Sequence, residues 1–266
     1  MFHFITNRKG GVGKTTLTVY LASAVALATE EPVLIVDTDP QNNAAMLMGF
    51  TEVQRRRGTL EEYMKLNRPV LEFILERDEF LGCHIIGSGH YDLLMVERPE
   101  WGIERFVTCL EEVAQLGYSH VFFDTPPAFT PIQQLCLQAC ETVLVPVQPG
   151  YLPVEGLNLL IQSIYRGLEG RQTPLHHLGV IINHRHPPSG LGEQLEQELR
   201  LGMSELVYKT SIPYSQWFER CAAEGSNLLE RAKGHVPALN ALHSLAQEFL
   251  QRVGAVNGTL AQINKM

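Results

Sequence analysis

The 266-residue sequence lacks any long apolar run, and its cysteines form no recognisable pattern. No run approaches the ~20 apolar residues that a membrane-spanning helix needs. The start has no basic segment ahead of an apolar stretch, so we expect no signal peptide. The five cysteines are odd in number and irregularly spaced, without a CxxC pair. They are typical of reduced structural thiols in a cytoplasmic protein rather than of disulfides or a metal cluster.

Basic residues are also fewer than acidic ones. The chain has 21 Lys and Arg against 29 Asp and Glu, a formal net charge of −8. This balance argues against a protein that coats itself in nucleic acid, although a local basic patch remains compatible with it. A basic partner peptide would suit the surface equally well.

A glycine-rich loop is the most informative feature that is present. Residues 9–16 read KGGVGKTT, between a short apolar run at 1–6 and a helical stretch at 17–28. Glycines let backbone N–H groups converge on phosphate oxygens, and the helix N-terminus adds its dipole. A lysine can then reach the β- and γ-phosphates while a threonine hydroxyl ligates Mg²⁺. The predicted phosphate-binding residues are Lys9, Gly10, Gly11, Val12, Gly13, Lys14, Thr15 and Thr16.

Two acidic motifs follow apolar runs of the kind that form buried strands. Asp37 and Asp39 stand in DTDPQ after residues 32–36, and Asp124 stands in FFDTPP. Ligands of open α/β sheets bind at the carboxyl ends of the strands. We therefore expect Asp37 near the Mg²⁺ shell, Asp39 toward the attacking water, and Asp124 holding Mg²⁺. The alternative for the DTDPQ acids is a loop carboxylate that caps the next helix.

Strand and helix signals alternate along the whole chain. This predicts a doubly wound, mostly parallel α/β sheet with helices on both faces. We predict one domain over residues 1–253 and a frayed tail over 254–266, which lacks a continuous apolar face. The predicted strands are 1–6, 32–37, 120–124, 141–146 and 178–183, and the predicted helices include 17–28, 131–139, 157–168 and a terminal helix through 239–249.

Residues 51–119 are the least informative part of the sequence. A Thr59/Glu62 capping box predicts a helix over 59–66. Two apolar runs, 85–86 and 93–96, are interpreted as strands around a Gly-Ser-Gly turn.

The loop departs from a standard Walker A motif, because Arg8 replaces a glycine and Lys9 adds a second lysine. It resembles the deviant Walker A motif of the ParA/MinD family of ATPases. DTDPQ is similar to the Walker A′ motif of that family, and FFDTPP to its Walker B and switch II segment. Because MinD-type members usually carry glycine where this chain has Arg8, the resemblance favours a ParA-type partition ATPase.

The resemblance implies a Mg²⁺-dependent ATPase that forms a dimer around two ATP molecules. Lys9 would reach the nucleotide of the partner protomer, and Asp39 would be catalytic together with Lys9 and Lys14. Thr15, Asp37 and Asp124 would hold Mg²⁺.

Asn183 and Pro213 would line the adenine by the same resemblance. Alternatively they are a strand-terminal turn residue and a strand-ending proline. An NKxD motif is absent after Asn183, which favours ATP over GTP.

Partner surfaces are also implied by the resemblance. The segment 148–156 matches a family motif and is expected at the dimer face. Turnover would be slow alone and stimulated by a ParB-like or cargo-adaptor protein. We expect the ATP dimer to bind DNA without sequence preference and to associate with the nucleoid, with no membrane contact. The candidate DNA-binding residues are Arg185, Arg220, Arg231 and Lys233.

Two other functions remain open. A MinD-like membrane-associated ATPase would need a basic amphipathic C-terminal helix, and residues 254–266 show none. An ATP-dependent metabolic ligase on the same scaffold would need a substrate pocket beside the γ-phosphate, and such enzymes usually lack Lys9. The histidines at 176, 177, 184 and 186 share no acid or cysteine at ligand spacing, so we expect no metal other than Mg²⁺.

Overall fold

A six-stranded parallel sheet forms the centre of the computed structural model, which describes residues 1–149, 154–171, 175–186, 191–231 and 236–263. The strand order is β3-β2-β4-β1-β5-β6, and every neighbouring pair is parallel. The fold class predicted from the sequence is confirmed. The strands are β1 (Phe2–Ile5), β2 (Val33–Asp37), β3 (Cys83–Ile86), β4 (His120–Asp124), β5 (Thr142–Val147) and β6 (His177–Ile182).

Helices connect the strands and cover both faces of the sheet. Two 3-10 turns, at Val70–Phe73 and Asp78–Phe80, lie between α4 and β3. The helices of the described residues are α1 (Lys14–Thr29), α2 (Asn43–Leu47), α3 (Glu52–Arg57), α4 (Leu60–Leu66), α5 (Tyr91–Glu97), α6 (Pro99–Gln115), α7 (Pro131–Ala139), α8 (Val154–Gly167), α9 (Leu191–Gly202), α10 (Gln216–Glu224), α11 (Leu228–Arg231) and α12 (Pro237–Ile263).

The two faces of the sheet carry two separate apolar cores. Side chains alternate between the faces, so Ile35 packs with α1 and α12 while Leu34 packs with α4, α6 and α7. Because both faces are buried, the strands are continuous apolar runs and not alternating ones. This arrangement leaves the carboxyl ends of β1, β2 and β4, which are neighbours in the sheet, open to a ligand.

Several local predictions from the sequence can be compared with the structure. The predicted helix at 59–66 is confirmed, with Thr59 accepting from the Glu62 N–H at 3.1 Å. The predicted strand at 93–96 was wrong, since these residues belong to α5. Helix α1 is buried on almost every side because the sheet, α2, α11 and α12 surround it.

The last helix continues past the predicted start of the tail. The backbone is helical as far as Ile263, so it does not leave helical structure at Gly254. The domain boundary at residue 253 stays a prediction. Among the described residues, no helix is both long and apolar enough to span a bilayer.

Candidate functional site

The phosphate loop lies between the end of β1 and the start of α1, as predicted. Gly11 and Gly13 have φ angles of 76° and 80°, in the left-handed region that only glycine adopts without strain. A Cβ atom on Gly13 would lie 2.5 Å from Asn183 Nδ2. Gly13 is therefore required twice, for its backbone conformation and for the close approach of Asn183.

Asn7 anchors the start of the loop, and the sequence interpretation missed it. Its Nδ2 donates to the Pro146 carbonyl at 2.8 Å, and its Oδ1 accepts from the Lys9 N–H at 3.0 Å. These bonds tie the loop to β5 and set the backbone direction at Lys9. No motif marks it in the sequence, since its burial and its contact with Pro146 exist only in the folded chain.

Lys14 lies inside the loop. Its side chain is buried, and Nζ donates to the Lys9 carbonyl at 3.2 Å. Burial lowers the pKa of Lys14, and the nearby carboxylates of Asp124 and Asp39 partly oppose that shift. The ammonium group thus lies in the field of two predicted site residues, where a phosphate anion would further favour its charged form.

Asp37 and Asp124 occupy equivalent positions on neighbouring strands. They are register partners in the β2–β4 pair, and both are completely buried. Burial raises the pKa of Asp124 to about 6, although hydrogen bonds from Thr15 and Thr18 lower it. Burial, and then the charge of Asp124, raises the pKa of Asp37 well above its usual value. The pair is costly to ionise without a cation.

One oxygen of this pair is suited to a metal ion. Asp124 Oδ2 is buried and has no hydrogen-bond partner within the described part of the chain. Asp124 Oδ1 accepts from Thr18 at 3.2 Å, and Thr15 also bonds the carboxylate. Carboxylate and hydroxyl oxygens are the ligands that Mg²⁺ prefers. The predicted set of Thr15, Asp37 and Asp124 therefore fits this ion.

Asp39 lies at the mouth of the site. Its N–H donates to Asp37 Oδ1 at 2.9 Å, and its Oδ1 accepts from the Gln41 N–H at 3.0 Å. The helix-capping alternative applies to Asp37, whose Oδ2 accepts from the Ala44 N–H in the first turn of α2. The catalytic role of Asp39 stays a prediction.

A single cleft of about 780 Å³ joins the loop to Asp39. Its opposite wall is formed by residues that the sequence interpretation missed, on α2, α10 and the turn after β6. No site role was predicted for these residues; α10 packs against α2, and the turn after β6 brings His184 to the same cleft. The lining residues are Gly10, Gly11, Gly13, Lys14, Thr15, Thr16, Asp39, Asn43, Met46, Leu47, Pro127, His184, Ala222 and Ala223.

The two predicted adenine residues differ in their surroundings. Asn183 is buried and donates from Nδ2 to the Val12 carbonyl at 2.8 Å, so it braces the phosphate loop. Pro213 pairs with Arg185 in a short extension of the sheet. Neither residue lines the cleft. Their contact with adenine stays a prediction.

The candidate DNA-binding arginines are engaged with other side chains. Arg185 Nε pairs with Glu196 Oε2 at 2.7 Å, and Arg231 pairs with Glu224. Arg220 lies 5.8 Å from the ring centroid of Trp217. Lys233 lies outside the described residues, as do residues 150–153 of the predicted dimer-face segment 148–156.

The parallel sheet, the glycine loop before α1 and the carboxylate pair at the strand ends define a P-loop nucleotide-binding protein. Comparison with known proteins agrees. A family model described as "AAA domain" matches residues 3–173. The chromosome-partitioning ATPase Soj of Thermus thermophilus is 32% identical over 94% of this chain and 95% of its own length. The chain belongs to the ParA/MinD family of ATPases, which confirms the resemblance of its motifs.

Solved structures share the fold. Cobyrinic acid a,c-diamide synthase from Mycobacterium smegmatis, with bound ADP and magnesium, superposes with a TM-score of 0.73 at 19% identity and covers 95% of both chains. Apo McdA of Cyanothece superposes with a TM-score of 0.72 at 23% identity, covering 94% of this chain and 98% of its own. At these identities the superpositions support the sheet topology alone.

Proposed function

We propose that this protein is a ParA-like switch that binds ATP with Mg²⁺, dimerises around two nucleotides, and positions DNA or another intracellular cargo. The observation that carries the proposal is the cleft that Lys14, Asp39 and the phosphate loop line together, next to the Asp37–Asp124 pair. The similarity to a chromosome-partitioning ATPase over nearly the whole chain supports the switch over other ATP-dependent chemistry.

The chemistry consists of neutralising phosphate charge and orienting water. Backbone N–H groups of the glycine loop and the Lys14 ammonium hold the β- and γ-phosphates. Asp39 accepts a hydrogen bond from the attacking water and aligns it with the γ-phosphorus. Thr15, Asp37 and Asp124 would hold Mg²⁺, which would compensate the charge on the phosphate oxygens. One protomer alone supplies few positive charges to stabilise the transition state, so its turnover is slow.

Dimerisation completes the site. Lys9 stands at the start of the loop, and we propose that it crosses to the γ-phosphate of the facing nucleotide. A second lysine would then stabilise the transition state. A ParB-like or adaptor protein accelerates hydrolysis by stabilising this closed dimer, and product release returns the monomer.

The ATP dimer binds DNA without sequence preference. A dimer presents Arg185, Arg220, Arg231 and Lys233 twice, so the number of phosphate contacts doubles. We propose that the ATP form is cytoplasmic and associated with the nucleoid. The net charge of −8 makes such binding dependent on this local patch.

A mobility-shift titration with random duplex DNA, in ATP and in ADP, tests the proposal. We expect a shift only with ATP and Mg²⁺, and a decrease of roughly 0.9 log units in affinity per phosphate contact for each tenfold rise in salt. Sedimentation of the same samples reports the dimer. If the ATP dimer forms but does not shift the duplex at low salt, the proposed DNA binding is wrong. If the protein stays monomeric with ATP bound, the proposed dimerisation switch is wrong.

A further inference from the structure

Thr38, the residue between the two predicted site aspartates, is held by two side chains from distant parts of the chain. The Tyr91 hydroxyl on α5 donates to the Thr38 carbonyl at 2.7 Å. Gln133 Nε2 on α7 donates to Thr38 Oγ1 at 3.3 Å. All three side chains are buried, and neither Tyr91 nor Gln133 belongs to a nucleotide-binding motif.

The Gln133 amide has partners on both of its ends. Its NH₂ group bonds Thr38 and also the Tyr91 hydroxyl. Its Oε1 accepts from the Thr130 N–H at 3.0 Å and from the Thr130 hydroxyl. A rotated amide would place donors against donors, so this network has one stable orientation. It joins α5 to the segment that follows Asp124.

The bond from Tyr91 acts on the peptide unit that carries Asp39. The Thr38 carbonyl and the Asp39 N–H belong to one planar peptide group. Tyr91 holds the oxygen of that group, and Asp37 Oδ1 holds its N–H at 2.9 Å. With both ends of the plane held, the position of the Asp39 Cα atom, from which the carboxylate side chain extends, is restrained.

Thr38 connects the same peptide to Asp124. Its N–H and its Oγ1 both donate to the Asp124 carbonyl, at 2.9 Å and 2.7 Å. The ends of β2 and β4, which carry the Asp37–Asp124 pair, therefore move together with the Thr38–Asp39 peptide.

We propose that Tyr91 and Gln133 are positioning residues for ATP hydrolysis, which orient the Thr38–Asp39 peptide so that the Asp39 carboxylate meets the attacking water. This inference rests on the proposed function, since it assigns Asp39 to the water. Tyr91 and Gln133 touch no part of the phosphate loop in the hydrogen bonds of the described residues, so they act on turnover and leave nucleotide binding intact.

Tyr91→Phe is the primary test, with Tyr63→Phe as its matched control. Tyr63 is equally buried, and its hydroxyl donates to Glu112 Oε1 at 2.9 Å, away from the nucleotide cleft. Tyr91→Phe loses the bonds of its hydroxyl to the Thr38 carbonyl and to Gln133, and Tyr63→Phe loses its partly buried bond to Glu112, so each variant should lower thermal stability. We expect kcat for ATP to fall about three- to tenfold in Tyr91→Phe alone, with the Kd for ATP within about twofold of wild type in both.

Gln133→Met keeps the length of the side chain and removes the amide. We expect the same fall in kcat at unchanged Kd, and little further loss when it is combined with Tyr91→Phe, because both act through Thr38. Wild-type kcat in Tyr91→Phe and Gln133→Met, or an equal fall in Tyr63→Phe, would overturn the positioning role.

Asp39→Ala, measured in parallel, separates the two levels of the proposal. If Asp39→Ala is inactive while both positioning variants turn over normally, only this inference fails. If Asp39→Ala itself hydrolyses ATP at the wild-type rate, the proposed function fails first and the inference fails with it.

Discussion

Asp37 and Asp124 lie directly opposite each other at the carboxyl ends of β2 and β4, and both carboxyl groups are completely buried. Two carboxylates in this position repel each other and lose their hydration. A cation would relieve both costs. The same two carboxylates therefore lower the stability of the metal-free protein and favour the binding of a metal ion.

Asp124→Asn should make the nucleotide-free protein more stable and inactive. Burial raises the pKa of Asp124 from 3.8 to about 6, so its ionisation opposes folding. At pH 7.5 we expect the free energy of unfolding to rise on the order of 1–3 kcal/mol, measured by urea denaturation without Mg²⁺. Mg²⁺-dependent ATP hydrolysis should be lost.

The raised pKa of Asp124 also sets the sign of the pH dependence of the stability difference between Asp124→Asn and wild type. Below about pH 4 Asp124 is protonated in the folded and the unfolded chain, so the cost disappears. The advantage of Asp124→Asn over wild type should therefore grow as the pH rises from about 4 to about 6 and then stay constant. An advantage that is the same at pH 4 and pH 7.5 would mean that the Asp124 charge is not its cause.

Lys9→Ala and Lys14→Ala should fail at different steps. Lys14 lies inside the loop, so its removal should abolish nucleotide binding, measured with a fluorescent ATP analogue. Lys9→Ala should bind the analogue but form no dimer in sedimentation, because its proposed target is the facing nucleotide. Lys65→Ala, at an exposed position of α4, is the control. Identical failure of the two loop variants at the binding step would contradict a role for Lys9 across the dimer.

Asn183→Ala should weaken ATP and GTP binding by the same factor. Asn183 Nδ2 donates to the Val12 carbonyl at 2.8 Å, so its loss loosens the phosphate loop for any nucleotide. We expect about a three- to tenfold increase in both Kd values by calorimetry. Asn158→Ala, an exposed change on α8, should leave both unchanged. A loss confined to ATP would instead favour the adenine contact implied by the family resemblance.

Glu196→Gln should strengthen DNA binding by the ATP dimer. Glu196 pairs with both Arg185 and Arg200, so its neutralisation removes the carboxylate partner of Arg185, while Arg200 keeps its bonds to the Tyr208 and Lys209 carbonyls. We expect a steeper salt dependence, by roughly 0.9 log units per freed contact, and weaker binding for Arg185→Ala.

Glu72→Gln provides the charge control for that experiment, because it frees only Arg68, which is not a DNA-binding candidate. Equal gains in the Glu196 and Glu72 variants would indicate a general charge effect and not a site at Arg185.

The sheet, and the ligand site at the carboxyl ends of its strands, could be predicted from the sequence because the relevant signals are local. Two such signals are an apolar run that ends in an acid and a glycine loop before a helix. Both can be recognised without knowledge of tertiary contacts. The run at 93–96 was misassigned because four apolar residues in a row fit a strand or a helix equally well. In the folded chain these four residues belong to the same helix as Tyr91, α5.

The residues that surround the motifs were not predictable in this way. Tyr91 and Gln133 reach Thr38 from 53 and 95 positions along the chain. Asn7 acts through a contact with Pro146. Such contacts depend on how the helices pack on the sheet, and a single sequence carries no periodic or spacing signal for them.

Sedimentation of Asp39→Ala with ATP and Mg²⁺ tests the central claim most directly. If Asp39 orients the attacking water, its loss stops hydrolysis and leaves the nucleotide-dependent dimer intact. The account predicts a dimer that persists for hours at stoichiometric ATP, while the wild-type dimer decays as ATP is consumed. An Asp39→Ala protein that binds ATP but stays monomeric, or whose dimer decays at the wild-type rate, would contradict the account.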